Sequence, residues 1–232
     1  MAKDVIIACD FPDKERTLSF LDNFKGKKPY VKIGMELFYS EGADMLKRIK
    51  DRGHEIFLDL KLYDIPNTVK SAMKVLSGLQ ADMVNLHTAG GSEMMKAALE
   101  GLSGEGKKRP LLIGVTILTS ADENTLHNEM LISESMENTV MSYAKNAMKS
   151  GLDGVVCSAL EAEKVKQACS RDFLTVTPGI RFADGETGDQ KRVVTPERAA
   201  KIGSDYIVVG RPITKSEDPA AAYERCLQEF LS

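Results

Sequence analysis

Eight short β-rich runs, separated by longer stretches of helical spacing, constrain this chain more than any other feature. The runs are DVIIACD (4–10), YVKIGM (30–35), EIFLDLK (55–61), MVNLHTA (83–89), LLIGVTIL (111–118), GVVCSA (154–159), FLTVTPGI (173–180) and YIVVGRPI (206–213). Helical spacing covers 13–25, 40–52, 65–79, 91–103, 136–150, 159–169, 195–203 and 218–231. Such alternation predicts an α/β fold of parallel strands buried on both faces. Eight repeats fit a closed (β/α)8 TIM barrel, a single domain over 1–232, better than the competing open doubly wound sheet. Pro66, Pro196 and Pro219 stand where three of the helices should open, and proline is tolerated in a first turn.

The bulk properties narrow the class. A chain of 232 residues, 43% apolar and 28% charged, can bury a sizeable core. Its formal charge of −3 gives no basic field for nucleic acid. No apolar stretch reaches the roughly 20 residues of a membrane helix, and MAKDVIIACD makes a poor signal peptide. Cys9, Cys157, Cys169 and Cys226 form no C-x-x-C pair, which fits a reduced, cytoplasmic setting. Three scattered histidines argue against a zinc site; His54 and His127 read as surface residues, and His87 as either a support for the site or a structural residue.

Charges at the predicted strand ends carry the chemistry. In a barrel, ligands meet the C-terminal ends of the strands. Strand one ends in Asp10, strand two carries Lys32, and strand three ends with Asp59 and Lys61, with Asp64 just beyond. Period-two alternation points Asp59 and Lys61 the same way, and Leu58, Leu60 and Leu62 the other. With the leucines toward the helices, the charges face the barrel mouth. Buried charges are costly unless paired, and alternating signs reduce that cost. An ion-pair network that merely plugs the barrel is the bland alternative. Strand eight ends in Gly210 and Arg211, where barrels often hold phosphate with backbone N–H groups and an arginine. Arg181 and Gln190 lie in a long polar loop, 181–194, placed to act as a lid. The glycine-rich GLSGEGKKRP (101–110) precedes a strand, so it reads as a polar turn and not a dinucleotide fingerprint. Together these features suggest a phosphorylated small molecule whose reacting end lies over strands one to three.

DLKLYDIPNT (59–68) closely resembles the D-x-K-x-x-D-I-P-x-T signature of the orotidine 5′-phosphate decarboxylase family, in its bacterial form. ACD (8–10), VKIGMELF (31–38), VNLHTAGG (84–91), GVTILTS (114–120), TPGIR (177–181), DQKRVVTP (189–196) and VVGRPIT (208–214) resemble its other blocks, in order. The resemblance implies conversion of orotidine 5′-phosphate to UMP, the last step of pyrimidine synthesis, by a homodimer with shared active sites and neither metal nor organic cofactor. Carried over position by position, it makes Lys61 the proton donor, with Asp59 beside the reacting carboxylate and Lys32 completing the array. Asp10 holds ribose hydroxyls with Lys32, and Asp64, Ile65 and Thr68 reach into the partner subunit's site. Thr119, or Ser120 next to it, reads the pyrimidine edge; Gln190 bridges phosphate and base; Gly210 and Arg211 hold the phosphate with Arg181 nearby.

Other readings compete. Related barrels that decarboxylate or condense sugar phosphates share the D-x-K-x-x-D pattern but use magnesium, and carry a glutamate at the strand-two position. Lys32 is a cation where a metal needs an oxygen ligand. A non-catalytic nucleotide-binding module has no need of Lys61 between two aspartates, and a structural protein has no need of charges at a barrel mouth.

Overall fold

The computed structural model describes residues 3–104, 109–184 and 193–232. The eight β-rich runs form β1 (Asp4–Ala8), β2 (Tyr30–Gly34), β3 (Ile56–Leu62), β4 (Met83–His87), β5 (Leu111–Val115), β6 (Gly154–Val156), β7 (Leu174–Thr177) and β8 (Tyr206–Val209). All pair in parallel and in sequence order, and β8 pairs back to β1, so the barrel is closed. The helices are α1 (Lys14–Leu21), α2 (Met35–Asp51), α3 (Pro66–Ser77), α4 (Gly91–Leu102), α5 (Met136–Lys149), α6 (Ala162–Ala168), α7 (Pro196–Lys201), α8 (Arg211–Thr214) and α9 (Pro219–Leu231). Pro66, Pro196 and Pro219 each stand in the first turn of a helix, as expected. No helix among the described residues is long and apolar enough to cross a membrane.

Strand alternation produces two apolar layers. Ile6, Ala8, Tyr30, Phe57, Met83, Ile113, Val176 and Val208 fill the barrel interior. Val5, Ile7, Val31, Ile33, Ile56, Leu58, Val84 and Leu86 face outward and pack with helix residues such as Leu37, Met45, Met73, Met94 and Phe230. Each such side chain, fully buried, contributes about 1.5–3 kcal/mol. With both faces apolar, the strands read as nearly unbroken hydrophobic runs.

The two rims are built differently. At the N-terminal rim, acids tie strands to neighbours. Asp82 accepts from the Ile56 N–H (2.8 Å), Asp153 from the Leu112 N–H (2.7 Å) and Asp205 from the Thr175 N–H (2.8 Å). Lys50, Arg109 and Lys166 neutralise them in turn, Arg109 through two parallel bonds of 2.6 and 2.9 Å. These charges hold structure. The charges at the other rim, described next, pair with one another instead.

Four expectations need correction. β3 is not regular: pairing with β4 jumps from Leu58↔Val84 to Leu62↔Leu86, and Lys61 has φ 51. β5 and β8 are shorter than the apolar runs, because Thr116–Leu118 and Arg211–Ile213 already belong to the segments beyond the ladder. α2 starts at Met35 and breaks at Gly42, whose φ of 67 suits a residue without a Cβ. His54 is buried, not on the surface; its Nδ1 lies 2.9 Å from the Pro29 carbonyl, so that nitrogen carries the proton. The turn expected at 101–110 falls partly on 105–108, outside the described residues.

Candidate active site

Register brings the charges of three strands to one place. Ala8 is level with Lys32, and Gly34 with Asp59. Lys32 Nζ lies 2.9 Å from Asp10 Oδ1 and 3.4 Å from Asp59 Oδ2. Lys61 Nζ lies 2.7 Å from Asp59 Oδ1. The result is a continuous chain, Asp10–Lys32–Asp59–Lys61, with signs alternating along it. Gly34 leaves room for the array: a Cβ there would crowd Asp10 Oδ1 at 3.2 Å and Lys32 Nζ at 3.3 Å, so the pair would have to shift.

The electrostatics follow from burial and pairing. Burial pushes the Asp59 carboxyl up, but the Lys32 and Lys61 ammoniums and the hydrogen bonds from Lys61 and Asn85 outweigh it, leaving Asp59 below the usual carboxylate range. Burial pushes Lys32 down, and Asp59 and Asp10 more than restore it, so its pKa lies above the ordinary lysine value. Lys32 and Asp59 are therefore held ionised by each other at neutral pH.

Beside the array lies a cavity of about 180 Å³. Lys32, Asp59, Lys61 and Asn85 line one side; Phe57, Val115, Ile117, Leu118, Val156, Pro178 and Val208 make an apolar wall, and Thr119 adds a hydroxyl. Charges facing a low-dielectric wall act more strongly than they do in water. Ser120 lines a neighbouring cavity, with His87 and Tyr63.

Other expected residues fall in different places. Arg181 is buried, and its Nη1 donates to the Ile180 carbonyl at 2.7 Å. Burial, and then the Arg211 guanidinium, push its pKa below the usual arginine value. The two guanidiniums therefore lie near enough to act on one another. Gly210 caps α8, with Arg211 as the first helical residue. Asp64 does not join the array of its own chain. It is exposed, and its Oδ1 accepts from the Ile65 N–H at 2.6 Å. Ile65 is 68% exposed and Thr68 is also exposed, both at the start of α3. Gln190, and with it 185–192 of the expected lid, lies outside the described residues.

Asn85 was missed by sequence reasoning. It is buried, its Nδ2 donates to Asp59 Oδ1 at 2.6 Å, and its Oδ1 accepts from the Lys61 N–H at 2.8 Å. The signal was a lone amide within the apolar run MVNLHTA, since a buried amide must find partners. His87, half-buried against the Tyr63 ring at 5.9 Å, is pushed down by burial and then by the Lys61 cation.

Fold and site together define a (β/α)8 barrel with a paired-charge array at the C-terminal ends of its first three strands and two neighbouring arginines, Arg181 and Arg211, near the eighth. The chain belongs to the orotidine 5′-phosphate decarboxylase / HUMPS family, whose model matches residues 3–226. It is 54% identical to an orotidine 5′-phosphate decarboxylase of Bacillus cytotoxicus, covering 99% of this chain and 98% of that one. The corresponding protein of Bacillus mycoides matches to the same extent. Among solved structures, the orotidine 5′-phosphate decarboxylase of Lactobacillus acidophilus superposes with a TM-score of 0.89 at 43% identity, covering 99% of this chain and 100% of that one. An uncharacterized conserved protein from Geobacillus kaustophilus gives 0.88 at 48% identity, covering 97% and 99%.

Proposed function

We propose that this protein decarboxylates orotidine 5′-phosphate to UMP. The observation that carries the reading, beside family membership, is the Asp10–Lys32–Asp59–Lys61 array against an apolar wall. Breaking the bond from pyrimidine C6 to its carboxyl group leaves the electron pair on C6, in the ring plane, where the π-system delocalises it poorly. Carbon dioxide departs, and C6 takes a proton. Lys61 supplies that proton, and its ammonium stabilises the pair before transfer. Asp59, held ionised, repels the substrate carboxylate more than it repels the product, a secondary contribution.

The remaining roles follow the same reading. Asp10 and Lys32 hold ribose hydroxyls, and Thr119 reads the pyrimidine edge from the cavity wall. Arg211, the Gly210 backbone and Arg181 bind the phosphate, with Gln190 bridging phosphate and base. Binding energy from the remote phosphate closes 181–194 over the site. Asp64, Ile65 and Thr68 serve the site of a second copy in a homodimer. Their exposure in one chain, beside exposed Tyr39 and Tyr63, supports this. No metal or organic cofactor takes part. Residues 1–232 act as one domain, in the cytoplasm, a setting that suits four unpaired cysteines.

The magnesium-dependent reading is disfavoured by Lys32. Its ammonium occupies the space between two carboxylates, 2.9 and 3.4 Å away, where a cation would otherwise be needed. The test is to mix the protein with orotidine 5′-phosphate and excess chelator and follow the ultraviolet change. Turnover supports the proposal. No turnover there, but turnover of a sugar phosphate with magnesium, moves the chain to its metal-dependent relatives.

A further inference from the structure

The β3 irregularity and Asn85 are one device. Between the pairs Leu58↔Val84 and Leu62↔Leu86, β3 advances four residues while β4 advances two. The surplus is a bulge carrying Asp59 and Lys61, opposite Asn85. Lys61 has φ 51, a left-handed backbone that a long side chain adopts only under constraint. A bulge also removes regular ladder bonds. The Asn85 side chain replaces them: its carbonyl takes the Lys61 N–H at 2.8 Å, and its NH2 group holds Asp59 Oδ1 at 2.6 Å. The same Asp59 oxygen receives Lys61 Nζ at 2.7 Å. One buried amide thus fixes the backbone of the lysine and the carboxylate that aims its ammonium.

We infer that Asn85 is a positioning residue for decarboxylation, acting through Lys61 and Asp59. The inference rests on the reading of Lys61 as proton donor. Asn85 is on β4, opposite β8 in the closed strand order, and Arg211 of the proposed phosphate site follows β8, which separates its effect from phosphate binding. A small misplacement of a reacting group costs about 10²-fold in rate. Asn85→Ala should therefore lower kcat about 10²-fold and leave KM within about threefold.

Asn85→Asp gives a sharper readout. Deprotonated, it sets a second carboxylate against Asp59, and like charges sharing a site raise one pKa strongly. Protonated, its O–H replaces the amide donor toward Asp59, and its carbonyl still accepts from the Lys61 N–H. The charged and titratable groups around that position are Asp59 and Lys61 on β3, Lys32 on β2 and His87 on β4. The variant should be impaired at high pH and recover kcat as pH falls through the raised pKa of the pair, a limb absent from the parent protein.

Steady-state kinetics of Asn85→Ala, Asn85→Asp and Lys61→Ala across pH, with UMP affinity as a check on folding, decide the matter. A kcat loss at unchanged KM, with recovery of Asn85→Asp in acid, supports the inference. If Asn85→Ala does not fold, the acid recovery of Asn85→Asp alone decides. Unchanged kcat in both Asn85 variants, or equal loss of kcat and UMP binding with no acid recovery, overturns it. An inactive Lys61→Ala beside an unaffected Asn85→Ala overturns this inference alone. A Lys61→Ala protein with normal turnover overturns the underlying reading as well.

Discussion

Asp59 and His54 are buried groups that both weaken the fold in acid, Asp59 by losing a stabilising charge and His54 by resisting protonation. Asp59 has its folded pKa lowered, so the stability it contributes is complete above the ordinary carboxylate value of 3.8 and is lost as pH falls through the lowered folded value. His54 is a base with a lowered folded pKa, through burial. Its cost sets in as pH falls through 6.5, where the unfolded chain takes the proton first, and levels off below the lowered folded value. Stability should therefore fall in two acid steps, and His54→Gln should shrink the first, leaving the part due to His87. Urea midpoints against pH measure this; an unchanged first step would contradict the account. Arg211→Ala should raise KM about tenfold or more, since a hydrogen bond to a charged group contributes about 1.5–3 kcal/mol. An unchanged KM would remove Arg211 from the phosphate grip. At this scale the sequence was informative where it broke a rule: Asp59 and Lys61 stood out as charges in an apolar run. Asn85 broke the rule less loudly, and His54 gave no signal, because one histidine looks alike on a surface or under the Pro29 carbonyl.

Elements differ in what a local pattern can reveal. The β-rich runs were legible because parallel strands bury both faces, and the proline helix starts because proline suits a first turn. The β3 bulge was not, because it depends on the offset between β3 and β4, which neither strand contains alone. Strand ends were overrun at β5 and β8 for a related reason: the loops beyond them are apolar where they line the cavity or continue into α8. The rims separate stability from chemistry. Asp205 is buried, holds the Thr175 N–H and pairs with Lys166. Breaking a buried pair by removing one partner costs about 3–5 kcal/mol. Asp205→Ala should lose about that much in denaturant titration while keeping the kcat of the folded fraction. A large loss of kcat would show that the rims are coupled. Packing between α3 and α4 gives a parallel case: a Cβ on Gly101 would lie 2.3 Å from the Lys70 carbonyl oxygen, so Gly101→Ala should destabilise by about 1–3 kcal/mol.

On the scale of the whole molecule, counting repeats was enough for the closed barrel, and barrel geometry was enough to direct attention to the strand ends. Which chain Asp64 serves was not legible, because a single sequence does not contain a second copy. In the structure Asp64 stands apart from the array of its own chain, which fits service to a partner. If sites are shared, mixing inactive Asp64→Ala and Lys61→Ala proteins should restore roughly a quarter of the parent activity, because half the dimers are mixed and each has one intact site. No recovery after subunit exchange would assign Asp64 to its own chain. The central claim is that the β3 charges make and protonate a carbanion, and Lys61 tests it most directly. The decisive measurement is kcat of Lys61→Ala on orotidine 5′-phosphate, with UMP affinity confirming an intact site. The account predicts a fall of about 10⁴-fold or more, since the substitution removes both the acid and the stabilising cation; turnover within tenfold of the parent would contradict it.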